Sequence, residues 1–154
     1  MHDLDEIDKL ILNILQDDAT TPLKVIAEQA NISIATTQRR IANLTSQKII
    51  EKQVAILDPG KVGYQLTVLV MIKMAHSNTS MQQRFERLVG QQKQVVSCYE
   101  ISGDYDFVLV VHSKNMQEYH QFTREFLTGD NNVAHFNSQF VMNFVKSGTK
   151  IELS

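Results

Sequence analysis

The chain has 154 residues, with 15 Lys and Arg against 17 Asp and Glu and a formal net charge of −2. That length holds one ordinary domain or two small ones, and 43% hydrophobic residues suffice for a real core. No apolar run approaches the roughly 18 residues that span a membrane; the acidic opening MHDLDEIDKL is unlike a signal or transit peptide; and the lone Cys98 excludes an internal disulfide and fits a reducing, cytoplasmic compartment.

Leu4, Ile7, Leu10, Ile11, Ile14 and Leu15 recur at helical spacing and predict an amphipathic helix. Asp3 or Asp5 is its N-cap, and Asp5, Glu6 and Asp8 suit the positive end of the helix dipole. Asp17-Asp18-Ala19-Thr20 ends it. Thr21-Pro22 reads as an N-cap followed by proline at the first helical position, where its missing N–H costs nothing. Leu23, Ile26, Ala27 and Ala30 share one face of this second helix. Asn31-Ile32-Ser33 interrupts the pattern, and Ser33 can cap a third helix by accepting an orphan backbone N–H. In that helix Thr37, Ile41 and Leu44 face inward, leaving Ala35, Thr36, Gln38 and Arg39 outward.

Two short helices joined by a three-residue turn form a helix-turn-helix, whose second helix suits the DNA major groove. An unrelated αα-hairpin is the alternative. Two features count against it. The outward face holds residues that fit base edges and thymine methyls, and no acidic residue lies between Ala30 and Ile50. Ala35, Thr36, Gln38 and Arg39 are the candidate base readers, with Arg40, Lys24 and Lys52 on or near phosphates, and Ser33 at the helix start is a further candidate DNA-binding residue. Arg40 has a second reading, packing of its stem against the first helix. Residues 33–52 carry Arg39, Arg40, Lys48 and Lys52 against Glu51, a local +3 that a dimer would present twice.

Lys48-Ile49-Ile50 leads into Gln53–Leu57, which is extended in character. Lys48 stands where a left-handed glycine would be favoured at a helix exit. Asp58-Pro59-Gly60 is the clearest turn in the chain and the expected domain boundary, with Gly63 a second candidate. Residues 1–50 thus form a (winged) helix-turn-helix domain, 51–63 an extended linker, and 64–154 a second domain.

The second domain changes period. Leu66–Met74 is a strand, and Met81, Phe85, Leu88 and Val89 mark a helix. Val95–Ile101 and Phe107–Val111 are strands separated by the turn Ser102-Gly103-Asp104-Tyr105-Asp106. Met116, Tyr119, Thr123, Phe126 and Leu127 mark another helix, and Ala134–Val145 is a long alternating strand. The order βαββαβ is the ferredoxin-like sandwich, which makes the whole chain α+β. Both helices of that sandwich lie on one face of its sheet. Because Leu66–Met74 and Phe107–Val111 are apolar on both faces, the open face is expected to be covered by a second subunit; tolerated exposed valines are the bland alternative.

A helix-turn-helix head, an extended linker and a βαββαβ domain together resemble the Lrp/AsnC (feast/famine) family of transcriptional regulators. The resemblance spans the chain through LDEIDKLILNILQDDATTPLKVIAEQANISIATTQRRIANLTSQKII, LDPGKVGY, SGDYDFVLVV and the closing strand. SGDYDF and the Ser33…Arg39-Arg40-Ile41…Leu44 spacing are its most specific parts, and Asn31 and Lys48 depart from the family's frequent glycines. The resemblance implies dimerisation through the C-terminal sheet, assembly of dimers into octamers, and a small amino-acid effector bound between C-terminal domains at Gly103-Asp104-Tyr105-Asp106.

The residues suggest how such a ligand would be held. Asp106 or Asp104 can take its ammonium. Backbone N–H groups around Gly103, with Ser102 and Tyr105 in the same loop, can take its carboxylate. Gln139 and Val141 of a neighbouring subunit would help line the pocket. The alternative is an ordinary turn built of turn-forming residues; a hard cation would need a third ligand that the sequence does not offer. The apolar strands Val108–Val111 and Phe140–Met142 favour leucine or methionine.

No cofactor or metal is expected. The five histidines lack metal-ligand spacing and a partnered nucleophile, and no glycine-rich phosphate loop occurs. An enzyme on a ferredoxin-like fold is therefore the weaker alternative. An effector-binding scaffold without DNA binding is the other, and intact Arg39 and Arg40 oppose it.

Overall fold

The computed structural model describes residues 4–154 and divides into two compact units. One runs to Ile56 and takes in Val145–Ser154; the other is Leu57–Phe144. The boundary falls one residue before the Asp58-Pro59-Gly60 turn. The last ten residues, which the sequence reading left in the second domain, pack instead with the first.

The first unit holds α1 (Glu6–Asp17), α2 (Leu23–Ala30) and α3 (Ile34–Ser46). Asp5 caps α1, its Oδ1 accepting the Asp8 amide at 2.8 Å; the competing Asp3 lies outside the described residues. Ile11 and Ile26 are fully buried and Leu44 nearly so. Ile7, Ile14, Ile41 and Leu153 pack around them, so three helical stripes meet in one small core. The cap expected at Thr21 is absent. Pro22 is itself the N-cap, and its carbonyl accepts the Val25 and Ile26 amides at 2.9 and 3.2 Å. Thr21 is drawn backward, its hydroxyl donating to the Asp18 carbonyl at 2.7 Å.

Both helix exits are left-handed without glycine. Asn31 has φ 52° and Lys48 φ 57°. In each case the amide of the residue after the left-handed one reaches back, Ile32 to Ala27 and Ile49 to Leu44, which satisfies otherwise orphaned carbonyls. Residues 51–57 form no strand, so the described head carries no β-wing. The turn after Asp58 is present, with Tyr64 N–H donating to the Pro59 carbonyl at 2.8 Å and Gly63 at φ 93°.

The second unit is β1 (Leu66–Met74), α4 (Thr79–Val89), β2 (Val95–Glu100), β3 (Phe107–Ser113), α5 (Met116–Phe122), a π-turn (Thr123–Leu127) and β4 (Val133–Phe140). The sheet order is β2-β3-β1-β4, with every neighbouring pair antiparallel. This is the expected ferredoxin-like arrangement. Val68, Val70 and Ile72 of β1 and Leu109 and Val111 of β3 are fully buried beneath Phe85, Phe122, Phe126 and Leu127. The π-turn ends α5 by passing the Thr128 amide to the Thr123 carbonyl.

Two strand ends differ from expectation by more than one residue. β3 continues to Ser113, whose side chain is fully buried. β4 stops at Phe140 although Met142 and Phe144 keep its alternation. Its only inner neighbour is β1, and Val141 N–H already bonds Thr67 O near the start of that strand. Beyond that point no backbone remains to pair with, and Met142 is 93% exposed.

Candidate nucleic-acid interface and effector site

α3 is oriented by its own first turn. Ser33 Oγ accepts the Thr36 amide at 3.1 Å and donates to Thr36 Oγ1 at 2.9 Å. Thr37, fully buried, donates its hydroxyl to the Ser33 carbonyl. Ser33 therefore caps the third helix, as its position in the sequence predicts. Ala35, Gln38 and Arg39 are exposed and Thr36 half-buried. Among the described residues Arg39 forms no ion pair.

Its neighbour behaves differently. Arg40 Nη1 donates to Asp5 Oδ2 and Asp8 Oδ1, both at 2.8 Å, tying α3 to the first turn of α1. The two carboxylates hold its guanidinium above its ordinary pKa. The Asp8 amide, and then Arg40, hold the Asp5 carboxyl below its ordinary value. Arg40 is thus an interhelical strut, the second of its two expected readings made concrete. Arg39, Lys24, Lys48 and Lys52 are exposed. Lys24 has only a 4.0 Å, i,i+4 contact with Glu28, a pair of little energetic weight at such exposure.

In the second unit, Ser102–Asp106 joins β2 to β3. Gly103 has φ 123°, and nothing lies within 4 Å of where a Cβ would sit. Backbone conformation, not close approach, is what requires glycine there. Asp106 is committed within its own chain. Its Oδ2 accepts the Met74 amide at 2.7 Å, and Lys73 Nζ lies 3.4 Å from Oδ1. Its own amide donates to Ile72 O, and its carbonyl accepts the Ile101 amide. That carboxylate fastens the loop to the end of β1. Asp104 is exposed and, among the described residues, forms no ion pair.

The loop's neighbours were only partly legible beforehand. Tyr105 lies edge-on to His135, with ring centroids 5.9 Å apart. No motif marked His135; only the strand register places it here. Asn132, at φ 62° just before β4, exchanges two hydrogen bonds with the backbone of His76. Gln139 and Val141 lie at the other end of the sheet, Gln139 opposite Leu69 and Val141 beside Thr67. One chain does not bring them to the loop. The sheet face opposite the helices carries half-buried Leu69, Met71, Val108 and Val110, with Tyr99 57% exposed. His112 accepts or donates a hydrogen bond with Thr67 Oγ1 there, and burial pushes its pKa down. Among the described residues there is no cluster of metal-ligating side chains, and no helix is long and apolar enough to cross a membrane.

Comparison with known proteins assigns both units. The AsnC-type helix-turn-helix domain matches residues 4–45, and the Lrp/AsnC ligand binding domain matches residues 67–151. The chain belongs to the Lrp/AsnC family. Members of this family are transcriptional regulators, not enzymes. An uncharacterized HTH-type transcriptional regulator of Haemophilus influenzae is 50% identical over 153 residues, 99% of this chain and 91% of that protein. The crystal structure of an AsnC family transcriptional regulator from Agrobacterium tumefaciens superposes with a TM-score of 0.90 at 31% identity, covering 96% of each chain. A Neisseria meningitidis transcriptional regulator solved as its L-Met complex shares the fold, with a TM-score of 0.92 at 23% identity over 97% of this chain and 96% of that one. In this Lrp/AsnC chain, α2 and α3 are thus the helix-turn-helix, and the Ser102–Asp106 loop belongs to the ligand-binding domain.

Proposed function

We propose that this regulator reads DNA through Ala35, Thr36, Gln38 and Arg39, and that its assembly or DNA affinity responds to a small amino acid, leucine or methionine, held between the ligand-binding domains of two subunits. The observation that carries the DNA half is the contrast on α3, where Arg40 is locked to α1 while Arg39 stands exposed beside Gln38. Arginine can take guanine O6 and N7 together, and glutamine can take adenine. Lys24 and Lys52 supply phosphate contacts. A homodimer presents two such helices and selects a pseudo-palindromic site whose half-sites are whole helical turns apart.

For the effector, the exposed Asp104 is the ammonium partner, and the positive-φ turn at Gly103 offers backbone N–H groups to the carboxylate. A second copy covers the apolar sheet face. The assembly, an octamer of four dimers in this reading, brings Gln139 and Val141 of another subunit to the loop. The apolar strands suit an apolar side chain, and the Neisseria meningitidis relative was solved with L-Met. A ligand acts on such an equilibrium only through its different affinity for the two states.

The test is a thermal-shift screen of the purified chain against the twenty amino acids. A ligand at 100 times its dissociation constant adds about 2.7 kcal/mol of stability. A shift confined to one or two apolar amino acids is expected. No shift with any of them would reduce Ser102–Asp106 to an ordinary turn.

A further inference from the structure

The closing segment packs against α1 of the head. Asn13 and Gln16 lie three residues apart on α1 and so project from one face. Each uses both ends of its amide. Gln16 Nε2 donates to Ile151 O at 2.9 Å while Gln16 Oε1 accepts the Ile151 amide at 2.8 Å. Asn13 Nδ2 donates to Leu153 O at 2.8 Å while Asn13 Oδ1 accepts the Leu153 amide at 3.2 Å. In an extended chain the N–H and C=O of one residue point to the same side and those of its neighbours to the other. The two side-chain amides therefore grip alternate residues as a neighbouring strand would. Lys150 adds an ion pair to Asp17 at 2.9 Å, and the Leu153 side chain packs against the core of the head.

We propose that Asn13 and Gln16 are a reader of extended backbone whose occupant is the chain's own 150–154 segment, and that its docking positions the helix-turn-helix for DNA. α1 is held at both ends. The segment grips its C-terminal half, and Asp5 and Asp8 at its start hold Arg40, next to Arg39 on α3. The segment is also the second place where the chain passes from the ligand-binding unit to the head, at 144–145 as well as 56–57. A change in the ligand-binding unit thus has a path to α1 that bypasses the linker, covalent as far as residues 150–154 and carried from there by their hydrogen bonds to Asn13 and Gln16.

The test uses the full-length chain and residue-resolved amide exchange, with an operator selected from a random duplex pool. In the wild type the Ile151 and Leu153 amides are expected to exchange at least tenfold more slowly than those of Lys150 and Glu152. Equal rates across the four would overturn the reader. Asn13→Leu with Gln16→Leu should erase that alternation and weaken operator binding at least threefold while α2 and α3 keep their protection. A released segment with unchanged operator affinity would overturn the positioning role. Should the double variant lose the head's fold, Gln16→Glu decides. It keeps an acceptor for the Ile151 amide and loses the donor to its carbonyl, so partial protection and a smaller affinity loss are expected, and wild-type values in both would count against the proposal. The affinity arm rests on the DNA reading above. A wild type that selects no duplex would sink that reading, and the exchange pattern alone would then decide the docking.

Discussion

The recognition helix and the effector loop solve a similar problem in opposite directions of charge. Each offers two like-charged residues one or two positions apart, Arg39 and Arg40 in one and Asp104 and Asp106 in the other. Each commits one of them internally: Arg40 to Asp5 and Asp8, Asp106 to Met74 N–H and Lys73. The remaining member is exposed. The commitments differ in kind. Arg40 bridges two helices through two carboxylates, so it holds the tertiary arrangement of the head. Asp106 bonds mainly to a backbone amide, so it fixes a local turn against the end of a strand. Neighbouring like charges are thus not interchangeable candidates for a ligand, because a partly buried charge takes the nearest complement its own chain supplies.

Substitution within each pair should separate the roles. The largest effect is expected from Arg39→Ala, which should cost about 1–3 kcal/mol of operator affinity and change base preference at one position of each half-site. Arg40→Ala should instead lower the melting temperature and leave base preference intact. Gel-shift titrations against an operator and its single-base variants, with melting curves alongside, distinguish the two; a changed preference in the Arg40 variant would undo the comparison. The Asp5 carboxylate adds a pH signature. Its folded-state pKa is depressed, so its contribution is complete above the ordinary carboxylate value and is lost as pH falls through the lower, folded one. Arg40→Ala should shrink that acid-side loss without abolishing it, since the Asp8 amide is the larger cause.

In the loop, Asp106→Asn should destabilise the second unit by about 1–3 kcal/mol, the usual consequence of weakening a charge-assisted hydrogen bond. Asp104→Asn should leave stability unchanged and remove the amino-acid thermal shift. Paired melts with and without ligand read both, and a ligand shift that survives Asp104→Asn would return the ammonium role to another group. The smallest effect is expected from Lys48→Gly. Relief of left-handed strain, less the extra unfolded-state freedom of glycine, should stabilise the head by about 0.5–1 kcal/mol in denaturant unfolding.

Much of this was legible in advance because it depends on short-range regularities. The stripe Ile11–Ile14–Leu15, the Ser33 cap and the inward Thr37, Ile41 and Leu44 follow from a 3.6-residue period and one hydroxyl at a helix start. Leu66–Met74 was legible from its β-branched, apolar run. The misses have a shared cause. Thr21 caps nothing because Asp18 presents a closer carbonyl. β4 is shorter than its alternation because a strand is only as long as its partner.

The sequence by itself determined the elements, their order and the candidate faces, since periodicity, caps and turn residues act over a few positions. Tertiary structure decided which charge of each pair turns outward, that His135 stands beside Tyr105 of the Ser102–Asp106 loop, and that the last ten residues join the head. Those outcomes depend on groups from 30 positions apart (Tyr105 and His135) to 140 apart (Asn13 and Leu153) meeting in space, and local patterning carries no information about such meetings.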